Sequence, residues 1–91
     1  MSVPDVLGAL VLKGAAYTED SRDRGRHLDD AAVLACAATD PVADRARMIG
    51  SDAKRIRALW AALADQDHPS WIATGATARR GRAALRILVG D

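Results

Sequence analysis

The sequence predicts an all-α fold, a small bundle of about five short helices making one domain over residues 1–91. Three observations carry that expectation. Apolar residues recur at helical spacing and no stretch alternates with period two. Helix-opening signals recur along the chain at Pro4–Asp5, Asp40–Pro41, Ser51 and Thr74. Finally, 91 residues leave room for a single core.

The first helix is expected over residues 4–18, with Pro4 and Asp5 in its opening turn. Val6, Leu10 and Tyr17 fall within about 40° of one another at 100° per residue, flanked by Leu7, Val11 and Gly14. A charged, glycine-containing connection follows over 18–26. The second helix covers 27–38, with Leu28, Ala31, Ala32 and Ala35 on a narrow face and Asp29 and Asp30 in its first turn. Asp40 and Pro41 open a short third helix ending near Gly50. Ser51 caps the fourth, over 52–65, where Ile56, Leu59, Trp60 and Leu63 form an apolar stripe. A turn at 65–71 leads into one helical turn carrying Trp71. Thr74 caps the last helix, over 75–89, with Ala78, Gly81, Leu85 and Leu88 inward. Trp60 is expected to anchor the core, and Trp71 to cap the bundle or meet a docked partner.

Composition limits the function classes. The chain is 49% hydrophobic, yet it has two Trp, one Tyr and no Phe. Much of the apolar count is alanine, which forms helices well and brings little area to a core. Helices that approach closely are therefore expected, with a partner surface completing their burial. A net charge of +1 gives no global field toward nucleic acid, so any such attraction must come from local clusters. The single cysteine, Cys36, excludes an intramolecular disulfide and suits a reducing cytoplasm. No apolar run approaches the ~20 residues that span a bilayer, and no basic leader with a long apolar core is seen. The expectation is a cytoplasmic protein without a membrane role.

Lys13 stands out, because it lies about 20° from Val6 on the apolar side of the first helix. A buried ammonium needs a carboxylate or water, and Asp29 and Asp30 on the next helix are the partners in reach. Two readings stand. The lysine snorkels, its stem covering apolar surface, or it is aimed into a cleft to hold a phosphate.

The segments "ALVLKGAAY" (9–17) and "RHLDDAAVL" (26–34) together resemble the helical half of AbiEii-type, toxin-like nucleotidyltransferases of the DNA polymerase β-like superfamily. Lys13 and Ala16 match that family's apolar–Lys–x–x–Ala motif. Arg26, His27 and Asp30 stand at the Lys, Asp and Asp places of its second motif, with Ala31 where leucine is usual. The resemblance covers residues 6–34 by motif. It implies a nucleotide-phosphate contact for Lys13 and Arg26, and an orienting role for Asp30. It places the metal-binding Gly-Ser…Asp-x-Asp element, and hence magnesium, in a sheet half that this sequence lacks. Phosphoryl transfer of that kind depends on carboxylate-held metal ions. The expectation is therefore a substrate-side domain, inactive by itself, either an orphan or a piece whose catalytic half lies upstream or on another chain. Val3–Pro4 reads as an exit from such a preceding sheet.

Other candidates are local. Arg22 and His27 form R-x-x-x-x-H, a spacing resembling the RNA-cleaving motif of HEPN ribonucleases, with a charged loop as the plainer reading. Arg79, Arg82 and Arg86 fall within about 60° on the last helix and are candidates for RNA phosphate contact, since tRNA is a substrate class of the resembled toxins. A solvated face competes with that reading, because no aromatic residue accompanies the arginines for base stacking. Lys54, Arg55 and Arg57 are judged alike. His27, His68 and Cys36 lack zinc spacing, so no metal site is expected. Cys36 reads as a helix-packing residue, His68 as a turn residue, and Ser51 and Ser70 lack a His–Asp arrangement. The rival to the transferase-like reading is a non-catalytic module that buries its alanine-rich faces by self-association or on a partner.

Overall fold

Asp5 opens the first helix from outside it, its carboxylate accepting from the Gly8 amide at 2.8 Å. The computed structural model describes residues 5–20 and 22–90. The expectations for Val3 and Pro4 lie outside the described residues. The elements are α1 (Val6–Glu19), α2 (Arg24–Cys36), α3 (Pro41–Arg47), α4 (Asp52–Leu63), α5 (Pro69–Thr74) and α6 (Ala78–Val89). A 3-10 turn at Gly75–Thr77 joins the last two. The described residues form an all-α bundle of five helices plus the short turn α5 that carries Trp71.

α1 packs on α2 and α4, while α6 packs on α2, α3 and α4, and α5 closes against α2. The core holds Leu7 and Leu10 of α1, Leu28, Ala31, Ala32 and Ala35 of α2, and Ile56, Leu59 and Leu63 of α4. Trp71, Leu85 and Leu88 complete it. The small-residue face expected on α2 is thus buried as a unit. Alanine there lets three neighbouring helices come close, which compensates in contact density for the scarcity of large side chains.

Several expectations are corrected. The buried face of α1 is Leu7–Leu10–Gly14, rotated from the expected Val6–Leu10–Tyr17 stripe, whose outer members are only partly buried. The reason is Gly14: a Cβ there would lie 2.5 Å from the Arg55 carbonyl oxygen, so α4 seats its backbone against the glycine. Side-chain size points to the large residues, whereas close approach selects the smallest. Lys13 consequently sits at the edge of the buried face.

The charged connection is shorter than expected, because α2 begins at Arg24 and takes in Gly25. Arginine is a good helix former, and a glycine in the first turn forfeits little. Asp29 and Asp30 therefore occupy the second turn of α2. Ser51 makes no capping bond; the Asp52 carboxylate instead accepts from the Ile49 amide at 3.1 Å. The Thr74 hydroxyl donates back to the Trp71 carbonyl at 2.8 Å, so it closes α5 rather than opening α6.

The two tryptophans exchange their expected roles. Trp71 is 1% exposed, and its indole N–H donates to the Leu63 carbonyl at 2.7 Å. Trp60 is only partly buried and faces a cleft. Gly81 makes the first arrangement available, since a Cβ there would meet the Trp71 ring at 2.8 Å and Cys36 Sγ at 2.7 Å.

Candidate functional site

Two charged regions compete for the role of functional site. The first joins α1 to α2. Lys13 Nζ donates to Asp30 Oδ2 at 2.8 Å, with the two side chains 33% and 45% exposed. The helix pair thus delivers one of the two expected partners. Asp29 is turned away, its Oδ1 accepting from the buried Ser70 hydroxyl at 2.6 Å, which ties α2 to α5. The Lys13 hydrogen bond holds the Asp30 carboxyl below its ordinary value of 3.8, with the Lys13, Arg26 and His27 charges adding to it. Arg26 is exposed at the edge of this region. Half-open to solvent and internally neutralised, the Lys13–Asp30 pair offers no uncompensated cation to a phosphate.

His27 follows on the same helix. Its Nε2 lies 3.2 Å from Asp20 Oδ2, and its Nδ1 is buried without a hydrogen-bond partner among the described residues. The Asp20 carboxyl is held low by the Arg22 amide first and by His27 second. The histidine of the R-x-x-x-x-H spacing is therefore engaged by a carboxylate. The Arg22 guanidinium makes no hydrogen bond or ion pair among the described residues. His68 caps α5, its Nδ1 accepting from the Ser70 amide at 3.1 Å. Ser70, His68 and Asp29 meet in space, but the hydroxyl donates to the aspartate and not to the imidazole. That is a structural pin rather than a nucleophile with its base.

The second region lies between α4 and α6. Arg79, Arg82 and Arg86 line one cleft of about 290 Å³ together with Trp60, Ala83 and Ile87. The i, i+3, i+7 spacing on α6 puts the arginines along one side, and the 60th residue supplies the aromatic wall from α4. Arg82 is fixed in place: its guanidinium sits 5.9 Å from the Trp60 ring centroid, and Nη2 donates to the Ala64 carbonyl at 2.7 Å. Its Nε is buried without a hydrogen-bond partner among the described residues. Arg79 and Arg86 are exposed and make no hydrogen bond or ion pair among the described residues. Arg80, around the helix, reaches the Ala38 carbonyl instead. Among the described residues no carboxylate lines the cleft. Three guanidiniums without a counter-charge among the described residues make a local positive field that the net charge of the chain conceals.

Sequence reasoning found the three arginines and missed their aromatic neighbour. Trp60 and Arg82 are 22 positions apart in the sequence, and only the α4–α6 packing joins them. Lys54 and Arg55 line a different hollow, shared with one carboxylate, Glu19.

A third surface is apolar. Leu7, Val11, Leu12 and Ile49 line a groove of about 390 Å³ edged by Asp5, Arg47 and Asp52. Leu12 is 65% and Ile49 78% exposed. Arg47 is paired with Asp5 and, at 3.2 Å, with Asp44.

Among the described residues no group of three or more His, Cys, Asp or Glu side chains could hold a metal ion, and no helix is long and apolar enough to cross a membrane. The magnesium that the transferase resemblance implies finds no donor set among these residues. Compared with protein-family models, with curated proteins and with solved structures, the chain matches none.

Proposed function

We propose that this chain is a helical binding domain for phosphate-bearing ligands, non-catalytic by itself, whose working surface is the α4–α6 cleft. The observation that carries the reading is the convergence of Arg79, Arg82 and Arg86 on one cleft whose lining, among the described residues, holds no carboxylate. Arginine's planar fork suits phosphate oxygens, and unpaired guanidiniums need not give up an existing partner to bind. The lining supplies binding groups but no nucleophile and no base that takes a proton near neutral pH. Calorimetric titration with inorganic polyphosphate tests this. Binding is expected at low salt, weakening as salt rises, and falling several-fold in an Arg79→Gln, Arg86→Gln double variant. An affinity indifferent to both salt and the double variant would sink the reading.

The transferase-like reading has one observation in its favour. Lys13 and Asp30, the two residues on which the motif resemblance turns, meet at 2.8 Å. On that reading Asp30 orients Lys13 toward a nucleotide phosphate, with Arg26 beside it, and the catalytic half with its magnesium belongs to another polypeptide segment. Amide NMR with a nucleoside triphosphate separates the two readings. Shifts centred on Lys13 and Asp30 support the inherited pocket; shifts centred on α6 support the cleft.

Self-association is a further use of the molecule, through the Leu12–Ile49 groove. Its apolar floor and a rim carrying both charge signs can face a second copy. Sedimentation under dilution tests it, and a monomer at all concentrations removes it.

A further inference from the structure

The Trp60 wall of the arginine cleft has no role in holding phosphate alone. Half of the lining, Trp60, Ala83 and Ile87, is apolar, while the other half is guanidinium. A ligand that uses both halves must carry negative charge and a flat apolar face together. Nucleic-acid bases joined by phosphates have that chemistry.

The geometry narrows the class further. Arg82 is held beside the indole by its bond to the Ala64 carbonyl, its Cζ 5.9 Å from the ring centroid, so a base entering the cleft meets both groups already in place. Arg79 and Arg86 are separated by seven residues of continuous helix, roughly 10 Å along the axis. Their Cα atoms thus lie on either side of Arg82, and their long side chains can converge on the phosphates that flank one nucleotide. In a duplex the base faces are already stacked and out of reach, whereas a single strand presents them.

We infer that the α4–α6 cleft binds single-stranded nucleic acid, one base lying against Trp60 and Arg82 and the adjoining phosphates on Arg79 and Arg86. The inference rests on the phosphate-binding reading above and adds the base to it. Arg82 acts here chiefly as a positioning residue, and the exposed pair makes the phosphate contacts.

The test is fluorescence anisotropy on the full chain at low salt, with labelled ten-nucleotide oligo(U) and oligo(dT), a duplex of equal length, and polyphosphate of matched charge as competitor. Both single strands are expected to bind more tightly than polyphosphate. Trp60→Leu should weaken them about tenfold, the lower part of what one aromatic–base stack contributes, and weaken polyphosphate by clearly less. Trp60→Phe, which retains a stacking face, should keep most of the affinity. Intrinsic fluorescence of the unsubstituted chain gives a readout independent of any variant's folding. Oligonucleotide should quench Trp60 while buried Trp71 stays silent, and polyphosphate should not quench. If polyphosphate and oligonucleotide bind equally, without quenching, the base contact is overturned and the phosphate reading stands. A preference for duplex likewise overturns it, in favour of groove docking by α6. Absence of binding by every ligand overturns both. A difference between oligo(U) and oligo(dT), with both above polyphosphate, supports the inference and reports a contact at the 2′ position or at the thymine methyl.

Discussion

The α1–α2 ion pair and the α4–α6 cleft hold the same kind of residue in opposite states. At the first, Lys13 points to a phosphate site by its position in the sequence, yet it meets Asp30 at 2.8 Å and is neutralised. At the second, three arginines that read as an ordinary solvated face surround a cleft with no acid in its lining among the described residues. The difference teaches that a cation's availability is a property of its neighbours. A lysine on an apolar helix face must find a carboxylate because burial costs it hydration. At the surface Arg79 and Arg86 meet no such demand and stay free for a ligand.

The largest effect should come from the tryptophan that serves structure. Trp71→Ala removes a fully buried ring and leaves the Leu63 carbonyl unpartnered, for an expected loss of about 3–5 kcal/mol in urea unfolding. Trp60→Ala should cost less than half as much. Equal losses would erase the division of labour between the two rings. Next in size is Gly14→Ala, which forces α1 away from the Arg55 backbone and should cost about 1–3 kcal/mol. A lower urea midpoint with an unchanged slope is the expected signature.

At the cleft itself, the Arg79→Gln, Arg86→Gln double variant should leave the unfolding midpoint nearly unchanged. Oligonucleotide binding should lose about two phosphate contacts from its salt dependence, read as a shallower log–log slope. An unaltered slope would move the contact elsewhere.

The smallest effect belongs to the ion pair. Lys13→Met should change stability by less than about 1 kcal/mol, because both partners are a third or more exposed. Its pH dependence is more diagnostic. Asp30 titrates below 3.8 in the folded chain, chiefly through the Lys13 hydrogen bond. Its contribution is therefore present above that pH and fades as pH falls through it. In Asp30→Asn the acid limb of the stability profile should flatten. An unchanged limb would mean that Asp30 carries no folded-state advantage.

Much of the fold was legible from local signals. Asp40 accepts from the Ala43 amide at 3.1 Å with Pro41 in the first turn, as their spacing predicts. The Leu28–Ala31–Ala32–Ala35 face of α2 is buried as its periodicity predicts. Boundaries set by competition were less legible, such as Thr74 closing one helix where it read as opening another. The rotated face of α1 was not legible at all, because hydrophobicity counts apolar area and Gly14 has none to count.

By itself, then, the sequence determined helices, their number and the alanine seam along which they meet, because those follow from contacts within a few residues of one another. It also placed three arginines on one side of one helix, since seven residues at helical pitch settle that. Tertiary structure alone decided which charges are satisfied, which tryptophan is enclosed, and that Trp60 stands beside Arg82. Each of those depends on two segments distant in the chain meeting at a few ångströms, and their approach is set by glycines and alanines that carry no chemistry of their own.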